Sequence, residues 1–150
     1  MANARRPITR IDVRVSGEEV VARRLRDLPK KLVRKYVKAA YSRGATVLLK
    51  EARRRVPEKT GNLKKALIRK IRVNNTQHYA LVGPDHSIAP HQHLVEFGTA
   101  KRQRSSGGST GASPPRPFLR PALENKKREI ARLIIRHLIG GLRREANVQR

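Results

Sequence analysis

The sequence predicts an α+β fold: a small, mainly antiparallel sheet packed by one long helix and a C-terminal helix, with a long flexible loop. Three observations carry this. Val33, Val37, Ala40, Gly44, Val47 and Leu48 recur at three- and four-residue spacing, one apolar stripe of a helix over about 30–56. Residues 67–73 and 78–83 read as two short strands around Asn74-Asn75-Thr76-Gln77, where Asn tolerates the positive φ of a tight turn. Leu119, Leu123, Ile130, Ile134 and Leu138 form a second helical stripe over about 118–139.

The elements follow in order. Ile11, Val13 and Val15 alternate with Asp12 and Arg14, so residues 8–15 read as a half-buried strand. Ser16 then suits a helix N-cap, with Glu18 and Glu19 in a first turn where the dipole favours acids, and that helix runs to about Leu28. Pro57 ends the long helix. Gly44 inside it costs about 1 kcal/mol of propensity relative to Ala, which implies a close helix or sheet contact there. Thr60-Gly61-Asn62 is a turn, and Thr60 or Asn62 is placed to cap a short helical turn through Leu67. Gly83-Pro84-Asp85 closes the strand pair, and residues 91–97 read equally as helix or strand. Residues 99–113 are a polar Gly/Ser loop charged by Lys101, Arg102 and Arg104. Pro114, Pro115 and Pro117 then force an extended bridge into the last helix. Gly140-Gly141 is expected to break that helix, leaving a basic tail over 142–150 that frays. All of this is expected to form a single domain with its core over about 8–140.

Composition narrows the function. Lys and Arg number 36 against 11 acids, a net charge of +25 and a pI near 11.8. A chain this basic sits beside a polyanion or repels itself. The charge runs along the whole length, which suits a folded protein with a basic face. Aromatics are 3% of residues, so base stacking is a poor prospect and binding should be directed at phosphates and sensitive to salt. Cysteine is absent, which removes disulfides and thiolate metal sites. No apolar run approaches a membrane span, and the N-terminus has no apolar core of a secretory signal.

Candidate chemistry is sparse. His86, His91 and His93 lie near Glu96, but with no cysteine and no second acid they read as polar or interfacial side chains, and no metal or cofactor is expected. Glu96, between Val95 and Phe97, reads as a partner for an arginine across an interface rather than a catalytic base. Asp85 reads as turn chemistry. Paired carboxylates, an activated nucleophile and a phosphate-cradling Gly loop are all missing from the sequence, so the chain is not read as an enzyme.

Three pieces occur in a fixed order: Thr60-Gly61-Asn62-Leu63 after a long helix, Val95-Glu96-Phe97-Gly98-Thr99, and Pro115-Arg116-Pro117-Phe118-Leu119-Arg120-Pro121-Ala122 before a C-terminal helix. Together they resemble the small tail-component family of long-tailed bacteriophages, variously called tail-completion, neck or head–tail joining proteins, over roughly residues 30–140. The resemblance implies a structural virion protein, made in the host cytoplasm, that works in a ring joining head and tail around the DNA channel. Its implied partners are further copies of itself (a hexamer), the adjacent connector and tail proteins, and DNA met through phosphates in the lumen, with no membrane. It implies assembly contacts around Glu96, Phe97, Lys101, Arg102, Arg104, Arg116, Phe118, Leu119 and Arg120. Arg34, Lys38, Arg53 and Arg54 on the long helix are the candidates for facing DNA. The alternative, a general nucleic-acid-binding protein of ribosomal or nucleoid type, shares the charge but leaves these three pieces unexplained. A third reading, a basic amphipathic helix on an anionic membrane, would use residues 123–139.

Overall fold

The computed structural model describes residue 23 and residues 29–57, 61–74, 78–101, 103, 105, 107–109 and 111–148. The expected strand at 8–15, the helix from Ser16 to Leu28 apart from Arg23, and the turn residues Thr60 and 75–77 lie outside these. The described elements are α1 (Lys30–Arg55), α2 (Asn62–Ala66), β1 (Leu67–Val73), β2 (His78–Pro84), α3 (Gln92–Phe97) and α4 (Leu119–Val148).

Helix α1 starts on the carbonyl of Pro29, which accepts from Leu32 N–H at 2.9 Å and Val33 N–H at 3.2 Å. It stops at Val56, whose ψ of 127° is the extended geometry that a following proline, Pro57, imposes. Its buried face is narrow and built from small residues: Ala40, Gly44, Ala45 and Ala52 with Tyr36 and Val37. Small side chains let α4 come close. A Cβ on Gly44 would lie 3.1 Å from Ile130 Cγ2 and 3.1 Å from Ile134 Cδ1. The expected close contact at Gly44 is therefore with the C-terminal helix, and α1 against α4 is the most extensive contact between elements.

The sheet is the expected antiparallel pair, with Leu67 opposite Pro84, Arg69 opposite Val82 and Arg72 opposite Tyr79. Arg69 sets which face meets α1: its guanidinium donates to the Ser42 carbonyl at 2.8 Å and to Thr46 Oγ1. Alternation then puts Lys70, Arg72, Tyr79 and Leu81 on the other face, where Leu81 is exposed. Asp85 N–H donates to the Ala66 carbonyl at 2.8 Å, closing the base of the hairpin. The Asp85 carboxylate accepts from Ser87 N–H and Oγ–H, the turn role read from the sequence.

Two readings are corrected and one left open is decided. Asn62 does not cap α2: Gly61 holds the cap position at φ 74° with no side-chain bond, and Asn62 is already helical. Residues 91–97 resolve to helix, since α3 occupies Gln92–Phe97. Gly140-Gly141 does not end the last helix, so residues 142–148, expected to fray, are helical. The reason is packing. A Cβ at Gly141 would sit 2.5 Å from Tyr36 Cδ1, so this glycine is where the tyrosine ring comes up against the α4 backbone. Tyr36 OH donates to Glu145 Oε1 and Arg144 stands 5.9 Å from the ring centroid, which ties the next turn of α4 to α1.

The tightest core gathers Ala52 and Val56 from the end of α1, Leu67 from β1, and Phe118 and Ala122 from the start of α4, with Leu48, Leu49, Leu63, Val95 and Leu119 against it. This cluster lies directly beneath the segment that carries the last two sequence pieces. Among the described residues no helix is long and apolar enough to cross a membrane.

Candidate functional site

Helix α4 begins without a cap of its own. The residues before Leu119 are Pro-Pro-Arg-Pro-Phe, none of which carries a side-chain acceptor, yet a helix start presents N–H groups that need partners. Glu96, in the last turn of α3, supplies them. Its Oε2 accepts from Phe118 N–H at 2.9 Å and Leu119 N–H at 3.3 Å, and its Oε1 from Arg120 N–H at 3.3 Å. A carboxylate here also opposes the positive end of the helix dipole. Pro121 fits in the same first turn, where a missing N–H costs no intrahelical bond. The Phe118 carbonyl accepts the first such bond, from Ala122 N–H at 3.2 Å.

The neighbours of Glu96 finish the junction. The Val95 carbonyl accepts from Arg116 N–H at 2.8 Å, pinning the Pro-rich bridge along α3. Gly98 follows at φ 75°, ψ −177°, a region open essentially to glycine alone. A Cβ there would meet the Ser113 carbonyl oxygen at 2.7 Å and Pro115 N at 2.9 Å. Thr99 then bonds Ser113 twice: Thr99 N–H donates to the Ser113 carbonyl at 2.9 Å, and Ser113 N–H to Thr99 Oγ1 at 2.9 Å. A second isolated bridge joins Gln103 and Ser109. The 99–113 loop thus leaves the body through a closed foot, and the Val-Glu-Phe-Gly-Thr piece is the foot's construction.

The candidate residues divide accordingly. Glu96 and Phe118 are used inside the chain. Within the chain Glu96 pairs with backbone N–H groups, and Phe118, 1% exposed, fills the core while Leu119 packs partly against it. Phe97 is 59% exposed although it stands beside the foot. Lys101 and Arg116 are exposed, and Arg120 is exposed beside Glu124, 3.0 Å from its carboxylate. Arg102 and Arg104 lie outside the described residues. On α1, Lys38 is exposed. Arg53 donates to the Leu67 carbonyl at 2.9 Å. Arg54 clasps Glu51 with Nη2 at 2.8 Å and Nε at 3.1 Å, and Arg55 adds a bond at 2.6 Å. Those bonds lower the Glu51 carboxyl to about 2. Among the described residues no three His, Cys, Asp or Glu side chains gather where a metal could be held.

Sequence reasoning missed what Glu96 does. The signal was present: a Pro-rich approach to a helix with no Ser, Thr, Asp or Asn at its start requires a cap from elsewhere in the chain.

The three pieces can now be set against known proteins. A family model described as "Bacteriophage HK97-gp10, putative tail-component" matches residues 19–98. That is more than half of the 150 residues and includes α1, the hairpin and Glu96 up to Gly98. The 99–113 loop, the Pro115–Ala122 piece and α4 lie beyond the match, which is shorter at its C-terminal side than the resemblance over 30–140 implied. Neither a curated protein nor a solved structure matches the chain. With more than half of its length matched, the chain belongs to the HK97-gp10-like family of phage tail components.

Proposed function

We propose that this tail component is a ring subunit of a phage neck or tail top, joining head and tail around the DNA channel in tail completion. The family makes it a structural tail protein of the virion whose partners are other tail proteins. The finer reading rests on one observation: the closed foot built by Glu96, Gly98, Thr99 and Ser113. It fixes where residues 99–113 leave the body, and the exposed Phe97 and Arg116 stand beside it. A loop projected from a rigid base, with an apolar side chain at that base, is suited to reach the next subunit of a ring. Six copies is the expected number. Lys101, Arg102, Arg104 and Arg120 supply polar contacts there, and Leu119 with Phe118 holds the base to the core.

The net charge of +25 supports DNA in the lumen, met through phosphates without base readout. Arg34, Lys38, Arg53 and Arg54 are the α1 candidates, although Arg34, Arg53 and Arg54 already hold interactions of their own. The ribosomal or nucleoid reading rests on the charge alone.

The test is to delete residues 102–112, which keeps both partners of the Thr99–Ser113 foot. Sedimentation velocity should show the full chain in a ring-sized species and the deleted chain as a folded monomer. A deleted chain that still forms the ring overturns the role given to the loop. A full chain that stays monomeric at every concentration, and in the presence of particles lacking it, overturns the ring.

A further inference from the structure

The side of α4 facing away from α1 carries a row of arginines. Gly44 of α1 meets Ile130 and Ile134, which fixes the inner side. Arg128, Arg132 and Arg136 lie on the outer side, all exposed. Four-residue spacing keeps them on one face, about 6 Å apart along the helix axis. Arg143, two turns further on and also exposed, prolongs the row. The acids on this side, Glu124 and Glu129, are paired with Arg120 at 3.0 Å and Lys126 at 2.6 Å.

Within the described residues no carboxylate is paired with the row, whereas Arg54, Arg55 and Arg120 each have one. Its surroundings are cationic as well. Burial, and then the charges of Arg43, Arg136 and Arg144, hold the His137 ring below the ordinary histidine range. Uncompensated cations this close on a rigid helix repel one another, and an external polyanion relieves that repulsion. Residues 128–143 lie outside the segment matched by the family model.

We propose that Arg128, Arg132 and Arg136 form the surface that meets DNA phosphates, with α4 lying against the duplex backbone. This rests on the ring reading for the source of the duplex and deepens it by placing the contact on α4 instead of the α1 candidates Arg34, Lys38, Arg53 and Arg54. A straight row of guanidinium groups with few aromatics nearby can follow phosphates but has no means of reading bases.

The experiment is duplex binding by the full chain, measured by fluorescence anisotropy with mixed-sequence DNA across a salt series. Each phosphate contact contributes about 0.9 to the slope of log K against log salt. The variant Arg128→Gln/Arg132→Gln/Arg136→Gln should therefore lower the slope by about 2–3. An equal-charge control, Lys35→Gln/Lys50→Gln/Lys65→Gln, should lower it by less than about 1. Circular dichroism checks that both variants are folded, and single Arg→Gln variants, each expected to lower the slope by about 0.9, serve if the triple is not. If the wild type binds and the row variant keeps its slope, or the control loses as much, the row is overturned while the ring reading stands. If the wild type binds no duplex at all, the DNA contact of the ring reading fails with it. Binding to anionic vesicles but not to duplex, lost in the row variant, would overturn the proposal in favour of a membrane surface.

Discussion

Glu96→Ala is the substitution whose consequence the structure sets most sharply. One carboxylate serves three N–H groups, at 2.9, 3.3 and 3.3 Å, at the start of a 30-residue helix. Losing a side-chain cap costs about 0.5–2 kcal/mol, and losing the favourable charge at the helix N-terminus a further 0.3–1 kcal/mol or so. The alanine variant should be less stable by about 1–3 kcal/mol. For a chain of this size a loss of 2 kcal/mol lowers Tm by about 4–8 °C. Glu96→Gln keeps an acceptor and loses the charge, so its cost should be about 0.3–1 kcal/mol. Urea titration gives the magnitudes, and amide hydrogen exchange gives the location: Phe118, Leu119 and Arg120 should lose protection first. Full stability of Glu96→Ala, with those three amides still protected, would refute the cap and with it the account of the Val-Glu-Phe-Gly-Thr piece.

Other predictions follow from the same geometry. Gly98→Ala puts a Cβ 2.7 Å from the Ser113 carbonyl in a backbone region closed to alanine, so it should cost about 1–3 kcal/mol and open the Thr99–Ser113 foot to exchange. Gly44→Leu should cost about 1–3 kcal/mol in urea unfolding by driving α1 from Ile130 and Ile134, whereas Gly44→Ala should be near neutral as helix propensity offsets crowding. Glu51 titrates near 2 in the folded chain, below its ordinary 4.5, so its contribution is complete above about pH 4.5 and is lost as pH falls toward 2. Glu51→Gln should flatten the stability profile across that window, and an unchanged profile would show that Arg54 and Arg55 do not hold the carboxylate.

Much of the fold was legible because it rests on periodicity. The α1 stripe and both strands emerge within a residue of their expected bounds, since small apolar positions repeat with the helix and Asn-rich punctuation separates the strands. Features that depend on residues far apart in sequence were not legible. Gly140-Gly141 reads locally as a break, and only Tyr36, more than a hundred positions earlier, explains why the helix continues past it. Glu96 reads as an interface acid for the same reason: the helix it caps starts 23 residues away. The arginine row of α4 was not read from the sequence, although Arg128, Arg132 and Arg136 stand at four-residue spacing. Its outward direction was fixed only by the Gly44 contact with Ile130 and Ile134.

The most direct test of the central claim is sedimentation of a nuclease-treated lysate from phage-producing cells, with this chain followed by mass spectrometry. A neck or tail-top ring predicts that it travels with tailed particles at a few copies each and stays there after nuclease treatment. Travelling with ribosomes, or release when the nuclease acts, would contradict the account and leave the charge as the better guide to what the protein does.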